Sequence, residues 1–382
     1  RAVQDGLFTL DTDINSILTS WKLDGGEFTK DRPVTPRGLT SHTSGLGDGF
    51  GFPGYDPTDS IPTVVQILGG HRHSNVGPIF MERPPMTLME YSGGGVTLMQ
   101  LALSDARKKP FAAIMRDDVL RPLGMTRSTF EQPLPPAFDR NAARAHSGEG
   151  KSRGPKWHVY PEQAAAGLWT TPTDLAKIII EVQRAYAGLP SAVLTRASAQ
   201  EMLSPVGVGD YAVGFAIRKI GQGWYFEHGG SNWGFRALLL AHKVKGYGLV
   251  IMTNADQGTQ VANELSRRIQ RVYEWDSFAE PAPRGYRPVV RTEITLPDSV
   301  LRQYLGEYQL NPEVSITITL EDGRLQARAT GQSAVTIYAE APDKFFLRAV
   351  EAQITFTRAP SGALTGLVLH QGGQDLRATK VK

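Results

Sequence analysis

The chain has 382 residues, 41% hydrophobic and 21% charged, which excludes wholesale disorder and, at ~150 residues per domain, predicts two domains or three. Lys+Arg 41 against Asp+Glu 38 leaves a net charge of +3, weak grounds for a basic nucleic-acid face. No apolar run approaches the ~18 residues of a membrane span, and zero cysteines excludes disulfides and thiolate-held zinc or iron–sulfur clusters in either redox compartment. Gly 40 and Pro 25 make up about 17% of the chain against a usual ~12%, so many turns are expected and a helical bundle is not.

Residues 1–6 read as the last turn of a helix running into Gly6. With no initiator Met and no signal peptide, the expectation is a mature or trimmed form. Residues 1–90 are rich in turns; Thr35-Pro36 offers a cap and a first-turn proline for a short helix ending near Gly45. The stretch 47–85 reads as a long surface loop, of a length uncommon unless it lines a site. Tyr91-Ser-Gly-Gly-Gly95 then places a phenol beside a glycine run that opens an apolar helix over 96–106. Taken alone, that reads as a tyrosine packed over a turn.

Further along, Gly150-Lys151-Ser152 lacks the earlier glycine of a phosphate-binding loop, where Ala145 stands. The same residues match a Gly-x-Ser-x-Gly elbow without its strand and helix, so a solvated loop is expected. His71 and His73 supply only two imidazoles, with no nearby carboxylate pair to complete a ligand set, so a solvated loop tip is expected there and no metal or cofactor. Thr171-Pro172-Thr173-Asp174 is a capping box, followed by Leu175, Ile178, Ile179, Val182 and Tyr186 on one helical face. A β meander is predicted over 211–219, 224–228, 235–243 and 247–254. The helix after it, over 259–274, has Val261, Leu265, Ile269, Val272 and Tyr273 to cover the sheet. His228-Gly229-Gly230-Ser231 ends the second of these strands, which puts an imidazole and backbone N–H groups at a sheet edge able to bind a carbonyl or oxyanion. Taken alone, this segment reads rather as a hairpin or bulge with an ordinary surface histidine.

A Pro-rich linker over 276–290 precedes a purely β pattern. Val314, Ile316, Ile318 and Leu320 alternate with polar residues, Asp322-Gly323 marks a hairpin, and Leu325, Ala327 and Ala329 continue the alternation. Further strands are predicted over 345–348, 353–358, 364–369 and 375–379, making a small barrel or sandwich. The fold expected is α+β, an antiparallel sheet flanked by helices with a helical subdomain over 1–275, then the linker 276–290 and an all-β module over 291–382.

The order Ser41-His-Thr-Ser-Gly-Leu46, Tyr91-Ser-Gly93, Gly167-Leu-Trp-Thr-Thr-Pro-Thr-Asp174 and His228-Gly-Gly230 resembles the serine β-lactamase-like family of penicillin-recognising hydrolases, which includes class C-type β-lactamases, D-amino-acid peptidases and family VIII-type esterases. The likeness runs through Pro110-Phe and Arg121-Pro-Leu-Gly-Met125 and covers roughly residues 1–275. The resemblance implies an acyl-enzyme formed on the serine of a Ser-x-x-Lys motif. It implies that Tyr91 is the acid–base phenol, that His228 is the polar group of the third motif, and that the Ser231 N–H is an oxyanion donor, with Gly93, Gly229 and Gly230 at the substrate. Gly93 stands where the family usually has Asn, and His228 where it often has Lys; both changes favour an ester or amide over a β-lactam. No serine in the chain is followed three residues later by lysine. The expectation is therefore a serine hydrolase acting on a small-molecule or peptide substrate, its nucleophile on an N-terminal segment that is cleaved, supplied separately or left out of residues 1–382, in a periplasmic or extracellular setting. The alternative is a catalytically inactive binding or regulatory module on the same fold.

Overall fold

The structure, a computed structural model, describes residues 1–47, 52–278, 291–311, 314–321, 323–330, 334–348, 352–371 and 374–381. The chain divides into two compact units, Arg1–Glu280 and Pro281–Lys382. From residue 279 onward the expected linker lies outside the described residues.

In the first unit, Thr35 caps the helix Pro36–Thr40 by accepting the Gly38 N–H at 3.2 Å. This helix stops at Thr40, short of Gly45, because His42 turns into the left-handed region at φ 59° and a right-handed helix cannot continue through it. The loop reading of 47–85 missed a helix at Val64–Leu68, where Thr63 and Gln66 form a reciprocal capping box. Residues 48–51 of that stretch lie outside the described residues. At Gly45, φ is 81° and an added Cβ would meet the Arg83 carbonyl oxygen at 2.2 Å, so only glycine lets the two segments touch.

Ser92 opens the helix Gly93–Arg107, its hydroxyl accepting the Gly95 N–H at 2.8 Å. Leu98, Met99, Leu101 and Ala102 of this helix pack with Leu39, Leu46, Leu68 and Ile79 in one buried core. Thr171 caps the helix Pro172–Tyr186 as expected, yet the return half of that capping box is not made. The Asp174 carboxylate instead accepts from the Arg127 N–H and the Ser128 hydroxyl, both at 2.9 Å, and pairs with Lys177 at 2.8 Å. Burial pushes Asp174 up, but these partners outweigh it and hold the carboxyl below its ordinary value.

A four-stranded antiparallel sheet follows in the order β1 (Ala216–Ile220), β2 (Gly223–Asn232), β3 (Phe235–His242) and β4 (Gly248–Thr253). The first strand starts later than predicted; Tyr211 makes only an isolated bridge to Ala216, and Gly214 turns the chain at φ 90°. The second strand runs further than predicted. It does not end at His228, because β3 supplies partners for Gly229 (Leu238), Gly230 (Ala237), Ser231 (Arg236) and Asn232 (Phe235). On its other side β1 reaches only to Glu227, so from His228 to Asn232 that side has no strand partner among the described residues.

The helix Pro172–Tyr186 covers one face of the sheet, with Ile179, Val182 and Ala185 buried and the first two packed in a cluster with Phe215, Phe226, Leu239 and Ala241. The helix Gly258–Val272 packs on β3 and β4, but of the apolar face its pattern picked out only Ile269 packs against the core there. It buries Gly258, Ala262 and Ser266, whereas Val261 is 61% exposed and Val272 75%. Small residues let the helix axis come close to the strands, so the bulky ones turn outward. Beyond this helix, Asp276 takes hydrogen bonds from the hydroxyls of Tyr225 and Tyr247, lies 3.2 Å from His242 Nε2, and pairs with Lys245 at 2.7 Å, fastening the chain to the sheet.

The second unit is a closed antiparallel barrel of β5 (Gly306–Asn311), β6 (Val314–Glu321), β7 (Arg324–Ala329), β8 (Val335–Ala341), β9 (Lys344–Leu347), β10 (Ala352–Arg358), β11 (Leu364–Gln371) and β12 (Gln374–Lys380). Each strand pairs with the next, and β12 closes on β5. The alternating residues face inward as predicted, with Ile316, Ile318, Leu325 and Ala327 buried. Asp322 of the predicted hairpin lies outside the described residues. The unit is not purely β: a helical turn over Asp298–Leu301 and Arg302–Tyr304 contributes Leu301 and Tyr304 to the barrel core. With Tyr308, Phe345 and Phe356, Tyr304 forms an aromatic plug. Each such ring takes ~150–250 Å² out of water, roughly 4–6 kcal/mol before ordering costs. Residues 288–382 expressed alone should therefore give a dispersed amide NMR spectrum; a collapsed one would count against a self-contained module.

Candidate active site

Two chain segments carry the polar groups of the site. The Ser92 cap fixes the start of the helix Gly93–Arg107 and leaves Tyr91 just outside it. The pairing of β2 with β3 fixes His228, opposite Leu239. The phenol oxygen of Tyr91 and His228 Nε2 lie 3.4 Å apart, so two residues 137 positions apart in sequence form one hydrogen-bonded pair. On its other nitrogen, His228 Nδ1 lies 2.6 Å from the Gly229 carbonyl, which is satisfied when Nδ1 carries the proton and leaves Nε2 to accept from the phenol. Desolvation raises the Tyr91 phenol above its ordinary value. A phenol in that state keeps its proton and so has an O–H to donate to Nε2.

A cavity of about 590 Å³ opens beside this pair. One side is polar, with His228, Gly229, Gly230, Ser231 and Asn232 of β2 lining it. The other is apolar, with Phe130, Leu168, Leu175, Ile178, Phe215 and Leu239, and Trp157 and Trp169 stand on its wall. Asn232 Nδ2 donates to the Ala166 carbonyl at 2.8 Å, and the Trp233 N–H donates to the Tyr160 hydroxyl at 2.9 Å, closing the end of β2 against the segment 160–166. Arg236 also lines the cavity but is tied to the carbonyls of Asn232 and Phe235 at 2.7 Å and to Asp256 at 3.2 Å.

Of the residues singled out in the sequence, Gly229, Gly230 and Ser231 line the cavity with His228, and Tyr91 touches it through His228. Gly93 does not line it. That residue is buried under Phe52, whose ring an added Cβ would meet at 2.9 Å, so a longer side chain there would first have to displace the ring. Ser152 is exposed in a loop, and His71 and His73 stack on each other at 5.2 Å. Among the described residues no group of three or more His, Asp or Glu is placed to hold a metal, and no helix is long and apolar enough to cross a membrane.

Neither a lysine nor a serine other than Ser231 lines the cavity among the described residues. The nearby hydroxyls are engaged elsewhere: Ser92 caps its helix, and Ser41 lies 2.8 Å from both the Arg37 carbonyl and the Thr43 hydroxyl. Sequence reasoning assigned no role to His42 or Tyr211, whose rings crowd the Tyr91–His228 pair.

Glu162, one residue before the helix Gln163–Ala166, is completely buried, and neither carboxylate oxygen has a hydrogen-bond partner among the described residues. Burial pushes its carboxyl up to about 7 from 4.5. A raised carboxyl favours the folded state below its unfolded value and loses that advantage as the pH climbs through the folded one. Glu162→Gln should thus match the parent at pH 4 and exceed it at pH 8 by up to about 3 kcal/mol, at ~1.4 kcal/mol per pH unit. Urea unfolding at the two pH values measures this; equal gains at both would rule out an ionising Glu162.

The phenol–imidazole pair, the glycines of β2 and the cavity all lie within the first of the two units. Residues 1–274 match the family model described as Beta-lactamase. Residues 290–380 match a second model, described as a domain of unknown function. The chain belongs to the β-lactamase family. It is 22% identical over 366 residues to penicillin-binding protein 4* of Bacillus subtilis (strain 168), covering 91% of this chain and 78% of that one. Among solved structures, the octameric penicillin-binding protein homologue from Pyrococcus abyssi superposes with a TM-score of 0.57 at 16% identity, over 99% of this chain and 84% of that one. The D-amino acid amidase from Ochrobactrum anthropi SV3 complexed with D-phenylalanine superposes at 0.53 with 23% identity, over 71% and 85%. Family membership supports a serine-hydrolase type of activity.

Proposed function

We propose that the protein is a serine hydrolase that cleaves esters or amides, D-amino-acid peptides among them, through an acyl-enzyme. The observation that carries this is the Tyr91–His228 pair, 3.4 Å apart at the mouth of a cavity lined by Gly229, Gly230 and Ser231. Tyr91 acts as general base toward the nucleophile and then as general acid toward the leaving group. His228 holds the phenol and faces the departing group. The substrate carbonyl lies along the unpaired side of β2, where the Ser231 N–H serves as an oxyanion donor.

The nucleophile is proposed to sit outside residues 1–382, on a helix carrying Ser-x-x-Lys that occupies the apolar side of the cavity. Two observations support this: the sequence has no Ser-x-x-Lys, and no lysine lines the cavity among the described residues. Desolvation supplies a third. A phenol raised by burial is a poor base at neutral pH, and a lysine ammonium beside it would lower it again. The absence of the motif also motivates the second reading, a binding module without chemistry.

A fluorophosphonate probe separates the readings. Residues 1–382 should stay unlabelled, while the same residues joined to a Ser-x-x-Lys helix should label one serine per chain. Stoichiometric labelling of residues 1–382 would place the nucleophile among the serines of this sequence. No labelling of either chain would favour the binding module.

A further inference from the structure

We propose that His42 is the positioning residue for Tyr91, clamping the phenol-bearing loop from both sides; this rests on the acid–base reading of Tyr91. Three contacts carry it. The His42 carbonyl accepts the Glu90 N–H at 2.7 Å, and His42 Nδ1 accepts the Ser92 N–H at 3.2 Å. Between those two bonds the His42 ring lies against the Tyr91 ring, with centroids 4.1 Å apart and planes 31° from parallel. One residue thus grips positions 90, 91 and 92 in turn.

The clamp is itself anchored. Ser41 N–H bonds to the Arg37 carbonyl at 3.0 Å and Thr43 N–H to the Gly38 carbonyl at 2.8 Å, so the residues flanking His42 are fixed to the short helix Pro36–Thr40. The edge of Tyr211 closes the remaining side of the imidazole at 4.7 Å and 85°. His42 is 3% exposed, and its backbone sits at φ 59°, where side-chain-bearing residues are rare and histidine and asparagine are over-represented. A glycine would relieve that conformation but could neither accept the Ser92 N–H nor cover the Tyr91 ring. Burial, and then the repulsion from His228 that would arise if both imidazoles were protonated, lower His42 to about 4, so at neutral pH the ring is uncharged and Nδ1 keeps the lone pair the clamp needs.

The test follows the Tyr91 phenol directly in residues 1–382. With ¹³Cζ-labelled tyrosine, the Tyr91 resonance is assigned by its loss in Tyr91→Phe and titrated in three proteins. In the parent, it should ionise above the ordinary tyrosine value. In His42→Ala, which removes both ring and acceptor, the titration should fall toward that ordinary value and the line should average as the loop is released. His42→Asn keeps an acceptor, Oδ1, at the place of Nδ1 and tolerates the backbone conformation. It should hold the Ser92 N–H shift near the parent's while losing the ring-current shift on Tyr91. An unchanged Tyr91 titration and line shape in both variants, with native dispersion elsewhere, would overturn the proposal. Should a variant fail to fold, long-range ¹H–¹⁵N spectra of the parent at pH 7 decide: a neutral His42 protonated on Nε2 supports the clamp, and a proton on Nδ1 refutes it. Failure of the acid–base reading looks different. Tyr91→Phe would then leave turnover of the complete enzyme unchanged while the His42 spectra stayed as described.

Discussion

Residues 1–382 alone should hydrolyse p-nitrophenyl acetate on the order of a millionfold more slowly than the same residues joined to a Ser-x-x-Lys helix, the usual consequence of lacking the nucleophile in a serine hydrolase. Substrate affinity should suffer much less, because the β2 amides and the walls of the cavity belong to this chain. The measurement is turnover number and KM for the two chains side by side. A difference below about a hundredfold would mean that most of the catalytic power, and hence the nucleophile, already lies within residues 1–382. His228 hydrogen-bonds to the Tyr91 phenol and the rings of His42 and Tyr211 lie against it, and none of these three side chains is an acyl-accepting serine or a lysine.

In the complete enzyme, Tyr91→Phe should lower turnover by roughly 10²–10⁴, the usual share of general acid–base catalysis. The ring and its contact with His42 survive this change, so only the proton relay is removed. His228→Ala should cost less, since it removes a partner of the phenol but leaves the β2 backbone, held by β3, where it is. A loss on His228→Ala greater than that on Tyr91→Phe would exchange their roles and make the imidazole the proton-transfer group.

Much of the frame was readable because its elements repeat at the period of their own geometry. Ile316, Ile318, Leu325 and Ala327 alternate and point into the barrel; Ile179 and Val182 recur at helical spacing and face the sheet. Periodicity failed where two faces compete. On the helix Gly258–Val272 the bulky stripe suggested burial, but apart from Ile269 its members face outward and the sheet accepts the stripe of Ala262 and Ser266, a choice set by how closely the helix can approach. The end of β2 was misplaced for a related reason: glycines weaken a strand locally, and only the partner strand β3 shows that Gly229 and Gly230 remain paired.

The site was legible where motif order located residues and silent where folding brings distant ones together. Tyr91 and His228 each stand beside a glycine run, which is a local signal. The grip of His42 on the loop at 90–92 depends on a left-handed backbone and on contacts across some fifty residues, and nothing near His42 in the sequence announces either. Glu162 belongs to the same class, since only the packing around it reveals a carboxyl with no partner among the described residues.

The ring of β5–β12 has a consequence for how the two units can meet other molecules. Among the described residues every barrel strand has a partner on both sides, which leaves little free edge for an extended peptide to lengthen the sheet. Whatever the C-terminal unit recognises must be read by side chains on its outer surface or by the loops at its rims. The four-stranded sheet is open by contrast, bounded by β1 on one side and β4 on the other. Among the described strands, recruitment by strand addition, with the register-dependent selectivity that backbone pairing brings, is offered by the edges of this open sheet.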